Sequence, residues 1–144
     1  MHGVESKRSV IHFGWKYEYS KASIAPTAPL PAFLEFLRTR AAKFSNVEAA
    51  ALQQVLIARY PRGAGIGWHH DAAVFGEPVV GISLYSPCVL RFRREREGGF
   101  ETYAQLLNQR SIYAMCGEAR SVWQHGITST KSLRYSITFR VPFI

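Results

Sequence analysis

The sequence predicts a mostly β protein with flanking helices, an α+β fold whose second two-thirds wraps into a barrel or jelly roll. Three observations predict this. From Gln53 onward, short branched and aromatic runs recur, each broken by glycine or proline. A single strong helical stripe lies before them, in residues 31–43. The chain has 144 residues, 47% apolar and 13% aromatic, which suits one domain with a substantial core.

The elements follow in order. Residues 10–19 alternate, with Ile11, Phe13, Trp15, Tyr17 and Tyr19 on one side, and predict a strand with one aromatic face. Residues 20–31 hold Pro26, Pro29 and Pro31 and read as a loop. A helix over 31–43 presents Phe33, Leu34, Leu37, Ala41 and Phe44 as its apolar stripe. Ser45 with Glu48 reads as a capping box that starts a short second helix. Further strands are expected at 53–60, 79–85, 88–94, 100–107, 111–116 and 133–141, with a hairpin turning at Gly98 and Gly99.

Charge points to a class of partner. Eighteen Lys and Arg against ten Asp and Glu give +8, and thirteen of the cations are Arg. A small domain this basic attracts polyanions, so nucleic acid is the first partner to consider. No apolar run approaches the roughly 18 residues needed to cross a bilayer, and Met1 to Ser9 is polar, so no membrane partner and a cytoplasmic location are expected. Cys88 and Cys116 are too few for a disulfide scaffold. Their apolar surroundings predict buried, reduced thiols.

The strongest local feature is GIGWHHDAAVFG, residues 65–76. In extended backbone, His69 and Asp71 point to one side, and His70 points away. An imidazole and a carboxylate then converge as a metal site requires. His125 is the one histidine downstream and completes two histidines and a carboxylate without a thiolate, the donor set of non-haem Fe(II) oxygenases. Zinc peptidases use the same donors, but through a helical His-Glu-x-x-His that this chain lacks. The last strand places Arg134, Ser136, Thr138 and Arg140 on one face. That face is either a solvated edge or an interior that grips a dicarboxylic acid, with Arg134 forking onto its far carboxylate and Arg140 nearer the metal.

His69-x-Asp71, then His125, then RYSITFR from Arg134 to Arg140 resembles the AlkB family of Fe(II)/2-oxoglutarate-dependent dioxygenases. The resemblance covers about residues 50–142, and the context before His69 is similar to that of compact bacterial members. It implies a double-stranded β-helix, in a single domain 1–144 with its core at 50–142 and the strand and helices of 1–49 packed outside. It implies Fe(II), 2-oxoglutarate and O2 as cofactor and cosubstrates, and oxidative demethylation of N-methylated bases in DNA or RNA, the methyl carbon leaving as formaldehyde. By the same resemblance His69, Asp71 and His125 are the iron ligands and the catalytic centre. Arg134 pairs with the C5 carboxylate of 2-oxoglutarate, Arg140 lies near its C1 carboxylate, and Ser136 and Tyr60 are further contacts. Two positions depart from the family pattern. Ala58 stands where an Asn is usual, and the stretch before the core is short, which implies either a reduced N-terminal lid or a Met1 that is internal to a longer gene product.

Substrate contacts are softer. Trp15, Tyr17 and Tyr19 could stack a flipped or single-stranded methylated base, or form core. Lys7, Arg8 and Arg62 could touch phosphates, and Trp68 and Trp123 flank the ligands. Arg91, Arg93, Arg94 and Arg96 form the densest basic patch, but Glu95 and Glu97 interleave it, which also suits a solvated hairpin. Two rival readings remain: the same chemistry on a protein or small molecule, and a catalytically silent nucleic-acid-binding module.

Overall fold

The structure, a computed structural model, describes residues 8–143. Two antiparallel sheets and one helix carry most of the chain. The larger sheet has the order β1-β4-β11-β6-β9, formed by β1 (Ser9–Phe13), β4 (Gln54–Tyr60), β6 (Val79–Leu84), β9 (Ser111–Met115) and β11 (Arg134–Arg140). The smaller has the order β5-β10-β7-β8, formed by β5 (Ile66–His69), β7 (Cys88–Arg96), β8 (Gly99–Leu107) and β10 (Gln124–Ile127). A two-stranded ribbon joins β2 (Trp15–Glu18) to β3 (Ser23–Pro26).

This corrects the expected jelly roll, or double-stranded β-helix. The fold is α+β with several antiparallel sheets, but no sheet closes into a barrel. Closure needs the end strands of a sheet to exchange backbone hydrogen bonds. Here β1 and β9 remain the edges of one sheet, and β5 and β8 of the other. β8 pairs with β7 along its whole length and is exposed at every residue before Leu107.

Other expectations are refined locally. The strand foreseen over 10–19 breaks at Gly14, whose φ of +80° suits a residue without a Cβ. A Cβ there would stand 2.0 Å from the Gln53 carbonyl oxygen. The chain therefore turns, and β2 pairs with β3 inside the segment read as loop. The helix α1 spans Ala32–Ser45. Leu34 and Ala41 of its expected stripe are buried, whereas Phe33 and Phe44 are exposed. Ser45 does not cap a second helix. Its Oγ donates to the Ala41 carbonyl at 2.7 Å, and a three-residue 3-10 turn, Ala49–Ala51, follows. Cys88 is buried, and burial pushes its thiol pKa up, but Cys116 is exposed.

β11 lies in the middle of the larger sheet, between β4 and β6. Its two faces explain its alternating sequence. Ile137 and Phe139 pack with Leu34, Ala41 and Val55 in the core under α1. Arg134, Ser136, Thr138 and Arg140 line the cavity on the sheet's other side, toward β5 and β10. A second apolar cluster, with Tyr60, Leu90 and Ile127, joins the two sheets there.

Candidate active site and metal centre

β5 and β10 pair antiparallel with His69 directly opposite His125, which brings distant segments together. The two rings stand 4.2 Å apart between centroids. The strands approach so closely at Gly65 that a Cβ there would lie 2.5 Å from the Ile127 carbonyl oxygen. Asp71 follows β5, and its side chain is 4% exposed. Its Oδ1 lies 3.8 Å from His69 Nε2 and 3.4 Å from His125 Nε2. Its Oδ2 accepts a hydrogen bond from Arg140 Nε at 2.7 Å. Arg140 thus turns one carboxylate oxygen toward itself and leaves the other to the histidines. Arg140 Nη1 also reaches Gln54 Oε1 at 3.5 Å.

The three ligand atoms lie within 4.8 Å of one another. His69 Nδ1 donates to the Gly67 carbonyl at 2.8 Å, which leaves the lone pair on Nε2, the nitrogen that faces Asp71. His70 is exposed and outside this cluster. Two imidazoles and one carboxylate on one side of a central point fit a divalent metal, and Fe(II) in particular.

Charge is preset for ligation. Burial, with the neighbouring His125, pushes the His69 pKa down to about 4, so the ring is neutral near pH 7. Burial alone would raise the Asp71 carboxyl. The Arg140 guanidinium, with hydrogen bonds from His125 and Arg140, outweighs it and holds the group well below the usual carboxylate range. The His69 shift sets a pH dependence. Between about 6.5 and about 4 the unfolded chain takes up a proton at this position and the folded one does not. The metal-free protein should therefore lose stability as pH falls through that window. The Asp71 contribution is lost only below its ordinary value of 3.8. Urea unfolding midpoints of the native protein and His69→Gln, compared at about pH 7 and about pH 5, check this. The variant should show the smaller drop.

A cavity of about 60 Å3 adjoins the cluster, and Tyr60, Arg134, Ser136 and Thr138 line it with His125. Arg134 is 1% exposed. Its Nε donates to Ser83 Oγ at 3.0 Å, and its Nη1 and Nη2 make no hydrogen bond among the described residues. The guanidinium carbon sits 5.1 Å from the centre of the Tyr60 ring. A buried guanidinium with both terminal nitrogens idle calls for a carboxylate, which takes two parallel bonds from it. The residues present therefore fit a carboxylic cosubstrate beside the metal. Ala58, buried at the register position opposite Ser136, brings no polar group to this wall.

The wider mouth, about 460 Å3, includes Tyr17, Tyr19, Trp68 and Phe75 together with Arg8. Of the aromatic and basic candidates, Tyr17, Tyr19, Trp68 and Arg8 reach it. Trp15, two residues before Tyr17 on β2, and the exposed turn residue Arg62 do not line it. Lys7 lies outside the described residues. Phe75 escaped notice in the sequence, yet its ring lies 6.5 Å from that of Tyr17 and 5.7 Å from the Arg140 guanidinium carbon.

Arg120 was also missed. It lies on α2 (Glu118–Ser121) and donates to the backbone carbonyls of Ala72 at 3.0 Å and Phe75 at 2.5 Å. Longer contacts reach the Gly76 carbonyl at 3.4 Å and the Asp71 carbonyl at 3.5 Å. One guanidinium thus ties down the loop that carries the carboxylate ligand. Arg120→Ala should lower metal affinity by about 10- to 100-fold, as loss of a supporting shell does. Equilibrium dialysis with Mn(II) measures it, and Arg120→Lys should recover only part.

The family profile described as 2OG-Fe(II) oxygenase superfamily matches residues 5–140. The "Alkylated DNA repair protein ALKBH8 homolog" of Arabidopsis thaliana is 28% identical, over 88% of this chain and 43% of that protein. The "tRNA (carboxymethyluridine(34)-5-O)-methyltransferase ALKBH8" of Mus musculus is 32% identical, over 86% of this chain and 19% of that protein. The chain therefore spans less than half the length of these relatives. In fold it is similar to "The structure of OsALKBH1", with a TM-score of 0.69 at 15% identity, covering 93% of this chain and 78% of that one. The profile match, over nearly the whole chain, makes this protein a member of the 2OG-Fe(II) oxygenase superfamily.

Proposed function

We propose that this chain is an Fe(II)- and 2-oxoglutarate-dependent dioxygenase that removes N-methyl groups from bases of DNA or RNA. The carrying observation is the buried Arg134, with two unpaired nitrogens, beside the His69, Asp71 and His125 cluster. A binding module has no use for that pairing. When bound, iron and 2-oxoglutarate let O2 hydroxylate a substrate methyl group, with succinate and CO2 as co-products and formaldehyde lost from the base.

The chain's own residues do the rest. His69 and His125 offer nitrogen donors, and Asp71 the single negative charge. Arg140 holds Asp71 so that one oxygen faces the metal position. Arg134 binds the far carboxylate of the cosubstrate, with Tyr60 and Ser136 shaping the wall around it. Tyr17, Trp68 and Phe75 offer aromatic surface at the mouth for a base, and the +8 charge favours a polyanion. The relatives named for DNA repair and for tRNA modification support a nucleic-acid substrate. The methyl transfer in one of those names stays with that longer protein.

The test supplies Fe(II), 2-oxoglutarate and O2 with single-stranded DNA and RNA bearing N-methylated bases. Succinate and formaldehyde should form in step and disappear in Asp71→Ala. Succinate without formaldehyde from any methylated strand would remove the nucleic-acid substrate and leave the oxygenase.

A further inference from the structure

The outer face of the four-stranded sheet, opposite His69 and His125, carries a row of side chains that this reaction does not use. Register places Gln124 beside Arg93 and Arg93 beside Thr102, and Trp68 precedes His69 and so takes the outer face. The Arg93 guanidinium lies over two aromatic rings, with its carbon 4.7 Å from the centre of Trp68 and 4.2 Å from that of Phe100. Its Nε donates to Gln124 Oε1 at 2.9 Å, which fixes the orientation of the fork.

Arg94 and Arg96 on the same strand are neutralised, whereas Arg93 is not. Arg94 pairs with Glu101 and Glu118, and Arg96 with Glu101. Among the described residues no carboxylate pairs with Arg93. A groove of about 480 Å3 runs over the row, lined by His70, Arg93, Arg94, Phe100 and Gln124, with the Glu95 carboxylate also on its wall. His70 also lines the mouth above the metal cluster, so mouth and groove share a wall.

A guanidinium held flat by aromatic rings keeps its Nη edge for an anion. Phe100, half exposed beside it, offers a ring face. A simple anion or an acidic peptide would use only the first of these, whereas a nucleotide uses both: phosphate on the fork and base on the ring. We propose that this groove receives the nucleotide next to the one being oxidised, with its phosphate on Arg93 and its base on Phe100. The inference rests on the nucleic-acid reading above and adds a second nucleotide site to it.

The probe is a fluorescein-labelled single strand of about six nucleotides carrying one N-methylated adenine, a length within the reach of one single-strand-binding groove. The same methylated adenine as a mononucleotide is the control. Binding is read by anisotropy against salt, with Mn(II) in place of iron. Arg93→Gln should weaken binding of the strand by about tenfold at low salt, and lower the slope of log affinity against log salt by about 0.7, one phosphate contact. Phe100→Leu, which keeps an apolar side chain without an aromatic face, should weaken it by about fivefold or more at every salt and leave the slope unchanged. Both variants should turn over the mononucleotide as the native protein does and bind Mn(II) equally. Native-like binding of the strand by both variants, or equal losses on strand and mononucleotide, would overturn the groove. Failure of the native protein itself to bind the strand at low salt would overturn the nucleic-acid reading, and the groove with it. That result needs no variant and so is distinct.

Discussion

Replacing Arg134 by methionine should cut the affinity for 2-oxoglutarate by roughly two to three or more decades, the ~3–5 kcal/mol cost of leaving a buried charge without its partner. The ligand-free protein should respond in the opposite direction. Arg134 is fully buried with two idle nitrogens, so it is a charge held out of water for a partner that the described residues do not supply. An apolar side chain of similar length removes that cost, and stability should rise by ~1–4 kcal/mol, as at other buried charges replaced in this way. Arg134→Lys should not restore cosubstrate binding, because an ammonium cannot form two parallel bonds. Titration calorimetry on the Mn(II)-loaded protein and urea unfolding of the metal-free protein read the two effects. Unchanged cosubstrate affinity together with lost stability would make Arg134 a structural residue instead.

Asp71→Ala should abolish measurable metal binding and also destabilise the metal-free fold. The carboxylate is the single anion of the ligand set, and it is also the partner of a nearly buried Arg140. Breaking such a pair from one side costs ~3–5 kcal/mol. Asp71→Asn separates the two roles: its amide oxygen can still accept from Arg140, so stability should fall less while the metal is still lost. Gln54→Ala, which removes the contacts to Arg140 and His12 but touches none of the three donors, should cost about tenfold in metal affinity, the scale of a supporting contact. Mn(II) affinity retained in Asp71→Asn would show that the carboxylate is not a ligand.

The convergence of His69 with Asp71, and the shared face of Arg134 and Arg140, were legible because each depends on strand parity. Residues two apart in GWHHD converge, and alternate residues in RYSITFR share a face, whatever the sheet around them does. Which strands would be neighbours was not legible. Nothing local in Ser23–Pro26 announces that it pairs with Trp15–Glu18 across the turn at residues 19–22. Whether a sheet closes depends on its edges, which short-strand patterns do not report, and the barrel expected from them is absent. Arg120 was invisible because it acts on backbone carbonyls, which every residue has. Arg93 was hidden in a charge run, and only the packing separates it from Arg94 and Arg96, which carboxylates already satisfy.

The histidine pair belongs to one sheet and the arginines to the other, and the bond from Arg140 to Asp71 spans the seam. On the proposed function, metal and cosubstrate would be gripped by two plates whose spacing sets their relative position, with the Arg140–Asp71 ion pair as one strap between them. Any motion that slides or parts the plates must move both grips at once. Amide exchange in β5 and β11 should accordingly slow together when either metal or cosubstrate binds, although the two strands share no hydrogen bond.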